Sequence, residues 1–255
     1  MKERCEARIL GAIRWSDAVT AAPIELPLVA RSNQLRFVRN LGGLSVIVGA
    51  TGLEKYTATF DLADLAPADV VADGALPFAG EVYDPTGTYL PRSFTVRLPR
   101  NSSPALLPPD QHRPPNSLFT PIDIALLPAP SAKVAAGWAQ VRVLLRTALG
   151  APLVNALARV VATTDGALLG CGLADARGEA LVALPGLKLF APGATVHEVV
   201  SVETAARLEI IPPPAGDVVD WTVLRDTPAA PGDVDPTPLA LRAGATYSRQ
   251  YPFSA

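Results

Sequence analysis

An all-β fold of two tandem β-sandwiches is predicted by three features of this sequence: its turn punctuation, its alternating apolar runs, and a strand–corner–strand pattern that occurs twice. The 255 residues include 26 Pro and 19 Gly, a density that breaks helices and suits many short strands joined by turns. The clearest run lies in residues 150–186, where a sharp Asp-x-x-Gly corner, Asp175 to Gly178, precedes a strand that ends in Pro185-Gly186. A weaker copy, with Asn40 and Gly43 at the corner, lies near residues 22–48. The length admits one large domain or two small ones, each able to bury a core.

From the N-terminus, residues 7–15 alternate, with Ile9, Ile13 and Trp15 on one face and Arg8 and Arg14 on the other, as in a half-buried strand. Residues 24–30 form a strand that Pro27 confines to an edge or a bulge. Residues 35–38 are a short strand, and Asn40-Leu41-Gly42-Gly43 turns the chain into a strand at 44–48. Another strand is expected at 55–60 and a loop at 61–80. Asp84-Pro85-Thr86-Gly87 makes a turn with Pro setting φ at its second position. Residues 94–98 place Phe94, Val96 and Leu98 inward and Thr95 and Arg97 outward.

Nine prolines crowd residues 99–130, so 101–117 reads as a long loop, followed by a strand at 121–127. The first domain is therefore expected to span residues 1–130 and the second 131–255. The second half repeats the scheme, with strands at 138–145, 154–162, 167–173 and 179–184, and Gly150-Ala151-Pro152 matching Ala21-Ala22-Pro23. Residues 196–211 give two short strands, although 203–208 equally fits a turn of helix. Residues 215–238 form a second Pro/Asp-rich loop, interrupted by Trp221-Thr222-Val223-Leu224, before strands at 239–241 and 246–253.

The order Ala151-Pro152, Asp175-x-x-Gly178, Leu184-Pro185-Gly186 resembles the carboxypeptidase regulatory-like, or transthyretin-like, sandwich domain, most clearly over residues 138–190. The resemblance implies an Ig-like sandwich scaffold without chemistry of its own. It fits structural turn roles for Asp175, Gly178, Pro185 and Gly186; the first half departs from the pattern, with Asn40 and Gly43 standing at the corner, where their tolerance of positive φ gives them the same turn role. A leaderless tandem sandwich with Asp84-Pro85 and Tyr89-Leu90-Pro91-Arg92 also resembles accessory structural proteins of contractile injection systems and phage tail-like particles.

Charge and motif content narrow the chemistry. With 22 Lys+Arg against 24 Asp+Glu, the net charge of −2 supplies no basic face for nucleic acid. No uncharged apolar run of about 18 residues predicts a membrane helix. Residues 1–15 lack the apolar core, roughly 7–15 residues long, of a secretory signal, so cytoplasmic synthesis followed by assembly into a particle is expected. Cys5 and Cys171 make neither a disulfide framework nor a metal cluster.

The two histidines, His112 and His197, accompany no Gly-x-Ser-x-Gly elbow, and Gly49-Ala50-Thr51-Gly52 is too short for a phosphate loop. No catalytic residue, metal or cofactor is expected. The aspartates at 61, 64, 69 and 73, and at 217, 220, 226, 233 and 235, lack the alternating spacing of a calcium loop and read as loop solubilisers.

Function is expected on the Pro-rich arms. Leu106, Leu107, Leu118 and Phe119 on the first, with Trp221, Val223 and Leu224 on the second, are candidate contacts with other protein subunits, or residues packed on their own sandwiches. The leading expectation is a non-enzymatic structural protein of a bacterial or phage particle. The alternative is a module that binds carbohydrate or a cell-surface polymer, with Trp15, Trp138 or Trp221 as a platform, although strand positions favour burial of two of these rings.

Overall fold

A computed structural model describes residues 9–53, 74–101, 115–192, 199–213 and 218–253. Their regular structure is nearly all sheet, 48% of them being strand and 5% helix, which establishes the all-β sandwich class. The chain divides into a first compact unit, Met1–Asp17, Ala21–Pro85 and Ser93–Leu126, and a second, Ala18–Thr20, Thr86–Arg92 and Leu127–Ala255.

The first unit has two sheets. In one, Leu35–Arg39 (β3), Ser45–Ala50 (β4), Gly11–Asp17 (β1) and Ile122–Leu126 (β7) lie side by side in that order. In the other the order is Val29–Arg31 (β2), Leu76–Tyr83 (β5) and Arg92–Leu98 (β6). Alternation builds the core. Ile13, Trp15, Ile47 and Leu126 are buried from the first sheet, and Phe78, Val82, Phe94, Val96 and Leu98 from the second. The Trp15 and Phe94 rings meet edge to face at 5.6 Å, joining the sheets, while Trp15 Nε1 donates to Ser45 Oγ at 2.9 Å.

The second unit also pairs two sheets. One runs Glu179–Leu184 (β11), Ala139–Thr147 (β8) and Thr246–Phe253 (β16). The other runs Leu168–Leu173 (β10), Leu157–Ala162 (β9), Thr204–Ile211 (β14) and Leu239–Leu241 (β15). Val141, Val143 and Leu145 from one sheet interlock with Ala158, Val160, Leu208 and Ile210 from the other. A short ribbon of Phe190–Pro192 (β12) and Val199–Ser201 (β13), one α-helix, Trp221–Asp226 (α1), and a single 3-10 turn at Pro231–Asp233 complete the described elements.

Each unit is ordered the same way around its opening strand. The strand after the corner lies antiparallel on one side, β4 on β1 and β11 on β8, and the last strand lies parallel on the other, β7 on β1 and β16 on β8. Pro23 and Pro152 form isolated bridges with Ser16 and Arg146, near the ends of the two opening strands.

Several sequence expectations shift. Ile9 is 49% exposed rather than inward: it lies before β1, where the strand's alternation does not hold, and its neighbour Leu10 is buried instead. Part of the loop expected at 61–80 is strand, since β5 begins at Leu76; Pro77 and Gly80 conceal its alternation of outward and inward positions. The strand expected at 24–30 contracts to Val29–Arg31. Residues 204–211 are one strand rather than a helical turn, and Trp221–Asp226 is helix inside the expected loop. The strand expected at 55–60 lies outside the described residues.

Candidate functional site

Both corners are built from the same bonds. The Asp175 carbonyl accepts from Gly178 N at 2.9 Å, its Oδ1 accepts from Glu179 N at 3.0 Å, and its own N–H donates to the Glu179 carbonyl at 2.8 Å. Asn40 does the same with Gly43 and Leu44, at 3.1, 2.8 and 3.0 Å. Gly178 and Gly43 have φ of +76° and +80°, where a side chain is strained. Gly178 is under a second constraint, because an added Cβ would lie 2.3 Å from the Leu145 carbonyl oxygen, whereas at Gly43 the nearest atom is 3.9 Å away. Gly186 follows Pro185 with φ of +75° and open space around it.

The most elaborated polar region lies on the second unit, where α1 covers the outer face of β9. Six residues are too few for a helix to hold itself, so the termini are held by side chains. At the N-terminus Asp220 accepts from Thr222 N at 3.1 Å and from Arg92 Nη2 at 2.8 Å. At the C-terminus Arg159 Nη1 donates to the carbonyls of Arg225 and Thr227 at 2.7 and 2.8 Å, placing a cation where the helix dipole favours one. Arg159 Nη2 also donates to Glu209 Oε2 at 2.7 Å, and Arg207 Nε donates to Glu209 Oε1 at 2.9 Å.

Between these anchors the Trp221 ring is only 5% exposed, with the Arg92 and Arg225 guanidiniums 5.4 and 5.7 Å from its centre. Burial lowers the Arg92 pKa, opposed by the Asp220 charge. The hydrogen bond to Asp226 raises that of Arg225 and lowers that of Asp226. Two depressions flank the helix. One of about 480 Å³ is lined by Arg159, Arg207, Glu209, Arg225 and Pro231; the other, of about 210 Å³, by Leu168, Cys171, Pro185, Trp221 and Arg225. Burial pushes the Cys171 thiol up to about 11, against the pull of Arg225 and Arg159, so at neutral pH it is a thiol and not a nucleophilic thiolate.

The residues expected on the arms fall in different environments. Leu106, Leu107, His112 and His197, with the aspartates at 61, 64, 69, 73 and 217, lie outside the described residues. Leu118 and Phe119 are half-buried, beside a loop base that Arg100 closes by donating to the carbonyls of Pro115, Ser117 and Thr120. Trp221 and Leu224 are buried, leaving Val223 outward at 65%. A ring as buried as Trp221 offers a sugar no face to stack on. Among the described residues no three His, Cys, Asp or Glu side chains converge as a metal site.

Sequence reasoning passed over Arg100, Arg159 and Glu209, and took Arg92 only as the end of the segment 84–92; all four are largely buried. A signal existed for the pair: Arg159 and Glu209 are lone, oppositely charged residues inside the apolar runs Leu157–Ala162 and Leu208-Glu209-Ile210-Ile211. Buried charges demand partners, and two such runs of opposite sign predict neighbouring strands.

No family model matches the chain, and no curated protein does. Among solved structures it is similar to the Bacillus anthracis TIE protein, with 9% identity, a TM-score of 0.29, and coverage of 96% of this chain and 34% of that one. It is also similar to a streptococcal ancillary pilin, with 10% identity, a TM-score of 0.28, and coverage of 86% and 50%. A minor pilin of Streptococcus agalactiae has 10% identity, a TM-score of 0.27, and coverage of 85% and 66%. The chain thus spans between a third and two thirds of their lengths, and likenesses this slight bear on neither activity nor partners.

Proposed function

We propose that this chain is a non-enzymatic structural protein that takes its place among other protein subunits in a multi-subunit assembly. The observation that carries the reading is where apolar side chains are held outward on hydrogen-bonded scaffolding. Leu41 stands fully exposed on the Asn40–Gly43 corner, Leu149 is 97% exposed on the turn after β8, and Val223 projects from the doubly anchored α1. Positions already ordered in the free protein lose little entropy when a partner covers them, so they suit protein–protein contact. The finer reading, a bacterial or phage particle of the contractile tail-like type, is supported by the resemblance carried by residues 84–92. A scaffold of the carboxypeptidase regulatory-like type is in keeping with the corner bonds of Asp175 and Gly178.

The test is a triple variant, Leu41→Asp, Leu149→Asp and Val223→Asp, followed by native pull-down of tagged protein. Loss of co-purifying subunits with an unchanged melting temperature supports the reading. Retention of every partner, or the absence of partners for the unaltered chain, refutes it.

A further inference from the structure

In both units the opening and closing strands are hydrogen-bonded to each other in parallel. β1 and β7 pair from Ile13↔Ile122 to Asp17↔Leu126, and β8 and β16 from Gln140↔Thr246 to Thr147↔Phe253. This arrangement has a mechanical consequence. In a parallel pair, the N-terminal end of the opening strand and the C-terminal end of the closing strand lie at opposite ends of the ladder. Tension along the chain therefore pulls the two strands in opposite directions along their length. Every inter-strand bond is loaded at once, whereas an antiparallel terminal pair presents adjacent ends and opens bond by bond.

Two further features oppose sliding. Each ladder carries a side-chain bond between register partners: Arg14 donates to Asp123 through Nε and Nη2 at 2.5 and 2.8 Å, and Gln140 Nε2 donates to Thr246 Oγ1 at 2.8 Å. A one-residue slip would break both. The opening strands are also held from the other side, β1 by β4 and β8 by the six-pair ladder to β11. On β16 the Tyr247 hydroxyl donates to the Ala240 carbonyl and the Tyr251 hydroxyl to the Gly232 carbonyl, each at 2.8 Å, tying the closing strand to segments outside the ladder.

We propose that each unit is a shear clamp and that the chain serves as a load-bearing link, resisting tension applied along its length. The proposal rests on strand pairing within each unit and is independent of which assembly the protein joins.

Single-molecule force spectroscopy on the full chain tests it by changing only the direction of pull. Handles at the two termini load both ladders in shear. Handles at residue 149 and at the C-terminus pull on the adjacent ends of β8 and β16 and peel that ladder open, since Thr147 is the register partner of Phe253. At one loading rate the terminal geometry should require about three times the force of the peeling geometry, because forced unfolding reads the barrier met along the pulled direction. Equal forces in the two directions would overturn the proposal. Asp123→Ala with Thr246→Ala, after urea titration establishes that the variant is folded, should lower the shear force and leave the peeling force unchanged. A variant that weakens both equally would also count against the clamp.

Discussion

Arg159 and Glu209 occupy register-paired positions on β9 and β14, and their side chains meet at 2.7 Å with about a tenth of each exposed. The same guanidinium holds the last carbonyls of α1, so one ion pair ties two strands and a helix together. Removing the carboxylate leaves a buried cation without its counter-charge. Glu209→Ala should cost about 3 kcal/mol in urea unfolding and Glu209→Gln about half that, because the amide oxygen still accepts one bond. Arg159→Ala should in addition raise hydrogen exchange across residues 221–227, as the helix loses its C-terminal anchor.

The two corner glycines should respond differently to the same change. At Gly43 only the positive φ opposes a methyl group, and Gly43→Ala should cost about 1 kcal/mol. At Gly178 the methyl would also meet the Leu145 carbonyl at 2.3 Å, and Gly178→Ala should cost about 3 kcal/mol. Thermal melts of the two variants check the ordering. Equal destabilisation would contradict the packing around the second corner.

Asp175 Oδ1 accepts from the N–H groups of Arg177 and Glu179 at 2.8 and 3.0 Å. Asp175→Ala removes both and should destabilise by about 1.5 kcal/mol. Asp175→Asn retains the acceptor, as Asn40 does at the first corner, and should recover most of the loss. Chemical denaturation of the pair distinguishes a hydrogen-bonding role from a charge-dependent one.

Cys171 gives a pH dependence whose sign follows from burial. Its thiol is pushed up to about 11, while in the unfolded chain it ionises at about 8.5. A group whose folded pKa is raised contributes its full stability below the unfolded pKa and loses it as pH climbs to the folded one. Stability should therefore be flat at neutral pH and fall between about 8.5 and 11. In a Cys5→Ser background this fall should diminish on Cys171→Ala, and labelling of Cys171 by a thiol reagent at pH 8 should be slow. Rapid labelling at pH 8 would show the thiol to be accessible and ionised.

The fold was legible where local chemistry and tertiary demand agree. The strands at 239–241 and 246–253 fall where alternation and turn punctuation place them, and that at 179–184 falls between the Asp175–Gly178 corner and Pro185-Gly186. The inward set Phe94, Val96 and Leu98 is buried as its parity requires. Leu76–Tyr83 was hidden because Gly80, which reads as a break, is the position over which the Phe94 ring closes, 2.6 Å from where a Cβ would stand. Helix α1 was hidden because six residues carry too little periodicity, and its stability comes from Arg92 and Arg159, more than sixty residues away in sequence. The arms were legible as Pro-rich segments, but the direction each side chain faces depends on those long-range anchors, which is why Trp221 turns inward and Val223 outward.

Size fractionation of native lysate containing the tagged chain at its normal abundance, followed by electron microscopy of the fractions that hold it, addresses the structural role most directly. A structural subunit should travel in a high-mass particle, far above the 26.6 kDa of the single chain. Recovery of the protein wholly at the mass of a monomer, with no particle in any fraction that contains it, would contradict that role.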